Sequence, residues 1–123
     1  VNPTTRLLMD VRALLNEPAR WTKGASARDA AGLDVEPFDP NATCWCISGA
    51  MVAAANRLIA PGSMVDGYDL HEHPNAAAFF RQAQEIVRRV VGGIPAFNDA
   101  ANTKHADVVQ AMTFAVEIAL EEL

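Results

Sequence analysis

The chain has 123 residues, half of them hydrophobic and a fifth charged, and fifteen Asp and Glu against ten Lys and Arg give a net charge of −5. This length fits one domain with a continuous core, and the composition is globular rather than disordered. The acidic balance speaks against a nucleic-acid partner, which needs a basic stripe, and no apolar run approaches the ~20 residues of a membrane span.

The start "VNPTTRLLMD" lacks the basic end and apolar core of a signal peptide, so a soluble, cytoplasmic protein is expected. Val1 in place of Met reads as a processed, trimmed or alternatively initiated start. Asn2-Pro3 is an N-cap followed by proline at the first helical position. Leu7, Leu8, Val11, Leu14 and Leu15 then repeat at the spacing of one helix face, and Pro18 closes the run, which predicts a helix over 3–16.

Residues 17–40 are rich in Gly, Pro and Asp, the residues of turns. A short two-stranded β-hairpin is expected within 24–36, turning at Gly32 and leaning on the helices through Leu33, Val35 and Phe38. Asp39-Pro40 repeats the cap-then-proline signature, and Thr43 is a second candidate cap. No charged side chain occurs from Ala42 to Asn56. A second helix over about 41–59 is therefore expected to be buried on most sides and to form the centre of the domain.

Pro61-Gly62 stops that helix, and residues 60–74 read as a long loop. A third helix from about Asn75 to Val91 carries the stripe Phe79, Phe80, Ala83, Ile86, Val87 and Val90, with Gly92-Gly93 as its stop. Arg81, Arg88 and Arg89 come nearest to a basic patch, but Glu85 stands between them at helical spacing, which makes a solvated face. "IPAFNDAAN" reads as a connection to Thr103, the predicted cap of a fourth helix that runs to the end. The expected fold is all-α: a single helical domain, 1–123, of four main helices around the buried second one, with a small hairpin.

Candidate chemistry is sparse. Cys44 and Cys46 are expected to be reduced thiols. On a regular helix they would face about 200° apart, Cys44 with Ile47, Met51, Ala55 and Leu58, and Cys46 with Gly49, Ala50 and Ala53. One metal ion could not reach both. With Thr43 as cap, Cys46 would lie in the first turn, where the helix dipole favours thiolate; its small neighbours equally suit close packing. His71 and His73 of "HEH" are weak candidate metal ligands without a third partner at diagnostic spacing.

Further along, Asn98, Asp99 and Asn102 cluster in a polar loop, and His105 sits in the first turn of the fourth helix. Cys46 and His105, oriented by Asn98 or Asp99, have the residue types of a cysteine hydrolase or transferase. The same Asn, Asp and Thr residues equally make turns and caps. A zinc-stabilised structural domain is a further alternative, and no cofactor is expected.

"WTKGA" (Trp21 to Ala25), "CISGA" (Cys46 to Ala50), "FND" (Phe97 to Asp99) and "TKHADVV" (Thr103 to Val109) occur in order. From about residue 7 onward the chain resembles an uncharacterised family of small bacterial and bacteriophage proteins, a domain of unknown function. Its pattern is Trp-x-x-Gly-Ala, Cys-x-x-Gly-Ala, Trp-Asn-Asp and a Thr-containing helix start; this chain departs from it at Phe97. The resemblance implies no activity. It implies that Trp21, Cys46, Gly49, Asn98, Asp99 and Thr103 form one constellation. The acidic balance, the small size and the absence of a complete catalytic set point instead to a small non-enzymatic binding or regulatory protein of phage or mobile-element type. Such a protein would act through a protein partner or as a homo-oligomer.

Overall fold

The computed structural model describes residues 1–123. Helix α1 spans Pro3–Leu14, and the Asn2 side chain accepts the Thr5 N–H at 2.9 Å, so the predicted cap forms. A 3-10 turn, Pro18–Arg20, follows. Strand β1 (Ala27–Asp29) pairs antiparallel with β2 (Ala42–Trp45), setting Ala27 opposite Trp45 and Arg28 opposite Cys44.

This ribbon corrects the hairpin expected within 24–36. Its turn does form, with Gly32 at φ +82° and Asp29 and Leu33 joined at 2.9 Å. The returning segment makes only an isolated bridge between Arg28 and Asp34. The partner strand comes instead from residues before α2. Thr43 and Trp45 suit a pleated surface, and Trp45 with Ala27 fills the buried side of the ribbon.

Helix α2 is consequently shorter than predicted, Ile47–Ile59, and neither Asp39 nor Thr43 caps it. Cys46 is the N-cap, extended at φ −77°, ψ 172°, and its Sγ accepts the Gly49 N–H at 3.2 Å. Cys44 lies in β2, so the helical wheel does not apply to the pair. Side chains alternate along extended chain, which puts Cys44 and Cys46 on one side and buried Trp45 on the other.

A short helix α3 (Gly67–Leu70), capped by Asp66, interrupts the predicted loop. Buried Asn56 ties that loop to α2 through Val65, accepting its N–H at 2.6 Å and donating to its carbonyl at 2.7 Å. Helix α4 (Ala77–Val91) ends at Gly92, whose φ of +77° a side chain would resist. Residues read as a connection form α5 (Ile94–Asp99), with proline in its first turn. Helix α6 (His105–Glu122) is capped at Lys104, not Thr103: the Asp107 carboxylate accepts the Lys104 N–H at 2.9 Å. The fold is thus mostly helical, with a two-stranded ribbon.

One core cluster joins Leu7, Leu8 and Val11 of α1 to Met51 of α2, Phe80 and Val87 of α4, and Val108 and Met112 of α6. The packing centre is α1, which touches α2, α4 and α6. Helix α2 is nonetheless buried continuously from Gly49 to Asn56, because α3, α5 and the excursion through residues 18–45 cover the side that α1 leaves open. No helix is long and apolar enough to cross a membrane.

Candidate functional site

Asn98, in the last turn of α5, is 1 % exposed and uses its full hydrogen-bonding capacity. Its Oδ1 accepts the Trp21 indole N–H at 2.8 Å and the Ile47 backbone N–H at 3.0 Å. Its Nδ2 donates to the Thr22 carbonyl at 3.1 Å and to the Asp99 carboxylate at 2.9 Å. A flipped amide would oppose donor to donor and acceptor to acceptor, so the surroundings fix its orientation. Residue 98 therefore ties α5, the Trp21–Thr22 segment and the first turn of α2 together.

Gly49 sits beside this junction for a steric reason. A Cβ at that position would penetrate the Ser26 backbone carbonyl. The same carbonyl accepts the Cys46 N–H at 3.2 Å, which holds the strand–helix corner against the segment before β1. Asp99 is exposed and accepts the Gly24 N–H at 3.0 Å, and the bonds from Asn98 and Gly24 hold its carboxyl below the usual range. Lys23 donates to the Ala100 carbonyl at 2.6 Å, with its ammonium 5.4 Å from the Trp21 ring centre.

Burial pushes the Cys46 thiol above its ordinary pKa, and the nearby Asp99 carboxylate adds to that shift. The Gly49 N–H works in the opposite direction and is outweighed. Position at a helix start alone had pointed toward thiolate; desolvation reverses the sign here.

His105 makes its hydrogen bond to Leu15, not to Cys46. Its Nε2 lies 2.6 Å from the Leu15 carbonyl, which can only accept, so Nε2 carries the proton. The ring stands 6.3 Å from that of Trp21. Trp21, Cys46, Gly49, Asn98 and Asp99 meet at one junction. Thr103 is buried near it and gives its N–H to the Ala100 carbonyl, outside the side-chain network. Asn102 is exposed.

His71 packs edge-on against Phe80 at 5.2 Å, while the His73 Nδ1 accepts the Asn75 N–H at 3.1 Å. No group of three or more His, Cys, Asp or Glu side chains is arranged to hold a metal ion. An open cavity of about 260 Å³ lies over the junction, lined by Ser26, Cys46, Ser48, Pro95 and Asp99 among others. The arrangement presents a protonated, half-buried thiol and a hydrogen-bonded carboxylate.

Sequence reading missed Thr22, Ser26 and Arg28. Arg28 pins the loop by donating to Thr22 Oγ1 at 3.1 Å, the Lys23 carbonyl at 3.2 Å and Asp34 at 2.6 Å. The Trp-x-x-Gly-Ala stretch was the available signal for this loop, but backbone acceptors such as Ser26 leave no mark on residue type.

These features define a class: a small, mostly helical protein whose polar junction fastens a loop excursion to the start of a buried helix. The chain belongs to a family of unknown function, DUF6197, whose model matches residues 1–118. No curated protein and no solved structure matches it.

Proposed function

We propose that this chain is a small non-enzymatic binding or regulatory protein, acting through a protein partner in a phage or mobile-element setting. The observation that carries this reading is the occupation of the junction. All four hydrogen-bonding positions of Asn98 are used internally. The Cys46 sulfur caps α2, and the His105 Nε2 proton is committed to Leu15. Groups so engaged position backbone rather than attack a substrate. Phe114 and Leu120 on α6 and Leu123 at its end are exposed, but at helical spacing they do not share one face and form no single docking patch.

The second reading, a cysteine-dependent hydrolase or transferase using Cys46, draws on the cavity above that thiol. Alkylation of the folded chain as a function of pH separates the two, with Cys44→Ser removing the other thiol. The binding reading expects slow modification, with a midpoint above the ordinary thiol range and release on unfolding. A thiolate titrating below about pH 8 establishes the activated nucleophile instead.

A further inference from the structure

Acidic residues outnumber basic ones, and most arginines here have an acceptor. Arg6 pairs with Asp10, Arg28 with Asp34, Arg88 with Glu85 and Arg89 with Glu122, while Arg81 donates to the His71 carbonyl. Arg20 and Arg57 have neither an ion pair nor a side-chain hydrogen bond, yet both line one cavity of about 320 Å³. Its other walls are Asp10, Ala13 and Leu14 of α1 and Ala54 of α2. Asp10, the cavity's acid, is engaged by Arg6 at 3.2 Å.

Both residues are exposed, and the fold sets where their backbones stand. Arg20 closes the 3-10 turn that follows α1, and Arg57 lies in the last turn of α2. The Arg57 guanidinium stands 6.0 Å from the Trp45 ring centre, a cation–π distance. Two guanidiniums that cannot shed their protons repel one another across a shared cavity, and an oxyanion between them converts that repulsion into two charge-assisted hydrogen bonds. Ala13, Leu14 and Ala54 add an apolar wall, and the volume falls at the small end of ligand pockets, which span about 300–1,000 Å³.

We propose that Arg20 and Arg57 form a binding site for a small organic anion, with its phosphate or carboxylate group held between the two guanidiniums and its apolar part against Ala13, Leu14 and Ala54. The site is separate from the Asn98 junction and does not depend on the protein-partner reading.

The full chain, labelled at arginine Nε, is titrated at constant ionic strength with inorganic phosphate, with benzoate and with chloride, while the Nε–H signals and the Trp45 indole signal are followed by NMR. Saturable shifts confined to Arg20, Arg57 and Trp45 are expected with phosphate or benzoate, and the ion that saturates identifies the headgroup. Arg20→Gln and Arg57→Gln should each weaken binding at least tenfold, with melting temperature unchanged. Arg12→Gln, outside the cavity, should leave affinity as it is. Shifts that never saturate with either anion, that chloride reproduces, or that persist in the double glutamine variant overturn the site.

Discussion

The junction around Asn98 and the layer formed by α1, α4 and α6 are both buried, but they are specified differently. In the helical layer, Leu7, Leu8, Val11, Phe80, Val87 and Met112 fill space with apolar volume. Many side chains of similar size could do so, at a cost of usually less than about 1.5 kcal/mol. At the junction, single atoms decide the outcome: the missing Cβ of Gly49, and the two donor and two acceptor positions of Asn98. A protein of this kind tolerates conservative change in one buried region and resists it in another.

The largest test of that contrast is Gly49→Ala. The added methyl meets the Ser26 backbone carbonyl, which cannot rotate away as a side-chain tip could. The strand–helix corner must open, and destabilisation of about 3 kcal/mol or more in urea unfolding is expected. An effect below about 1 kcal/mol would mean that the corner is as yielding as a surface loop.

Two nearly volume-conserving substitutions sharpen the comparison next. Asn98→Asp keeps the shape but replaces the two Nδ2 donors by an acceptor facing the Thr22 carbonyl and the Asp99 carboxylate. It is expected to cost about 2–3 kcal/mol at neutral pH, the range for a buried polar group left without its partner. Leu8→Met, in the helical layer, should cost less than about 1.5 kcal/mol. Equal losses from the two in matched chemical denaturation would erase the distinction.

Cys46→Ser is milder still. Serine is a preferred N-cap and can accept the Gly49 N–H in place of the sulfur, so the change should stay within about 1 kcal/mol. Cys46→Ala removes the acceptor and should cost about 1 kcal/mol more than the serine variant in the same assay. If alanine and serine behave alike, the sulfur's hydrogen bond contributes nothing to the junction.

The same contrast explains what was legible in the sequence. Apolar periodicity is written in residue types, so α1, α4 and α6 could be read with ends near those observed, although Leu120 and Leu123, expected on the inward stripe of α6, are exposed. The mixed outcome came between residues 24 and 46. A charge-free run from Ala42 is equally consistent with a buried helix and with a short buried strand that leads into one. Pairing with Ala27–Asp29, a long-range event, chose the strand for Ala42–Trp45. That choice displaced the helix start to Cys46 and put the two cysteines on one side of the chain. The centrality assigned to α2 holds as burial only: α1, α3, α5 and the loop excursion cover it, but α1 is the helix that packs on both α4 and α6. Uniform hydrophobicity reports burial without saying what does the burying. The resemblance singled out Trp21, Cys46, Gly49, Asn98, Asp99 and Thr103 as a group, of which Thr103 lies outside the side-chain network. Their converse, the backbone acceptors of Thr22 and Ser26, has no residue-type signature at all.

The smallest expected effect comes from pH and separates the rim of the junction from a purely surface ion pair. Asp99 is held below the usual carboxyl range by Asn98 and Gly24, and Glu122 is held low by its hydrogen bond with Arg89. For each, the folded pKa lies below the unfolded one, near 4, so the stabilisation is fully present above that value. It is lost as pH falls through the folded pKa. Acid titration of stability should therefore show a shallow decline beginning below about pH 5, reduced in part by Asp99→Asn and in part by Glu122→Gln. The two responses should differ toward salt. The Arg89–Glu122 pair joins α4 to α6 at the surface, with both side chains about half exposed, and added salt should screen it. Asp99 draws its shift chiefly from short hydrogen bonds to an amide and a backbone N–H, which salt screens far less. Repeating the titration at about 1 M salt should leave the Asp99 contribution and flatten that of Glu122. Loss of both together would place Asp99 with the surface charges rather than with the junction.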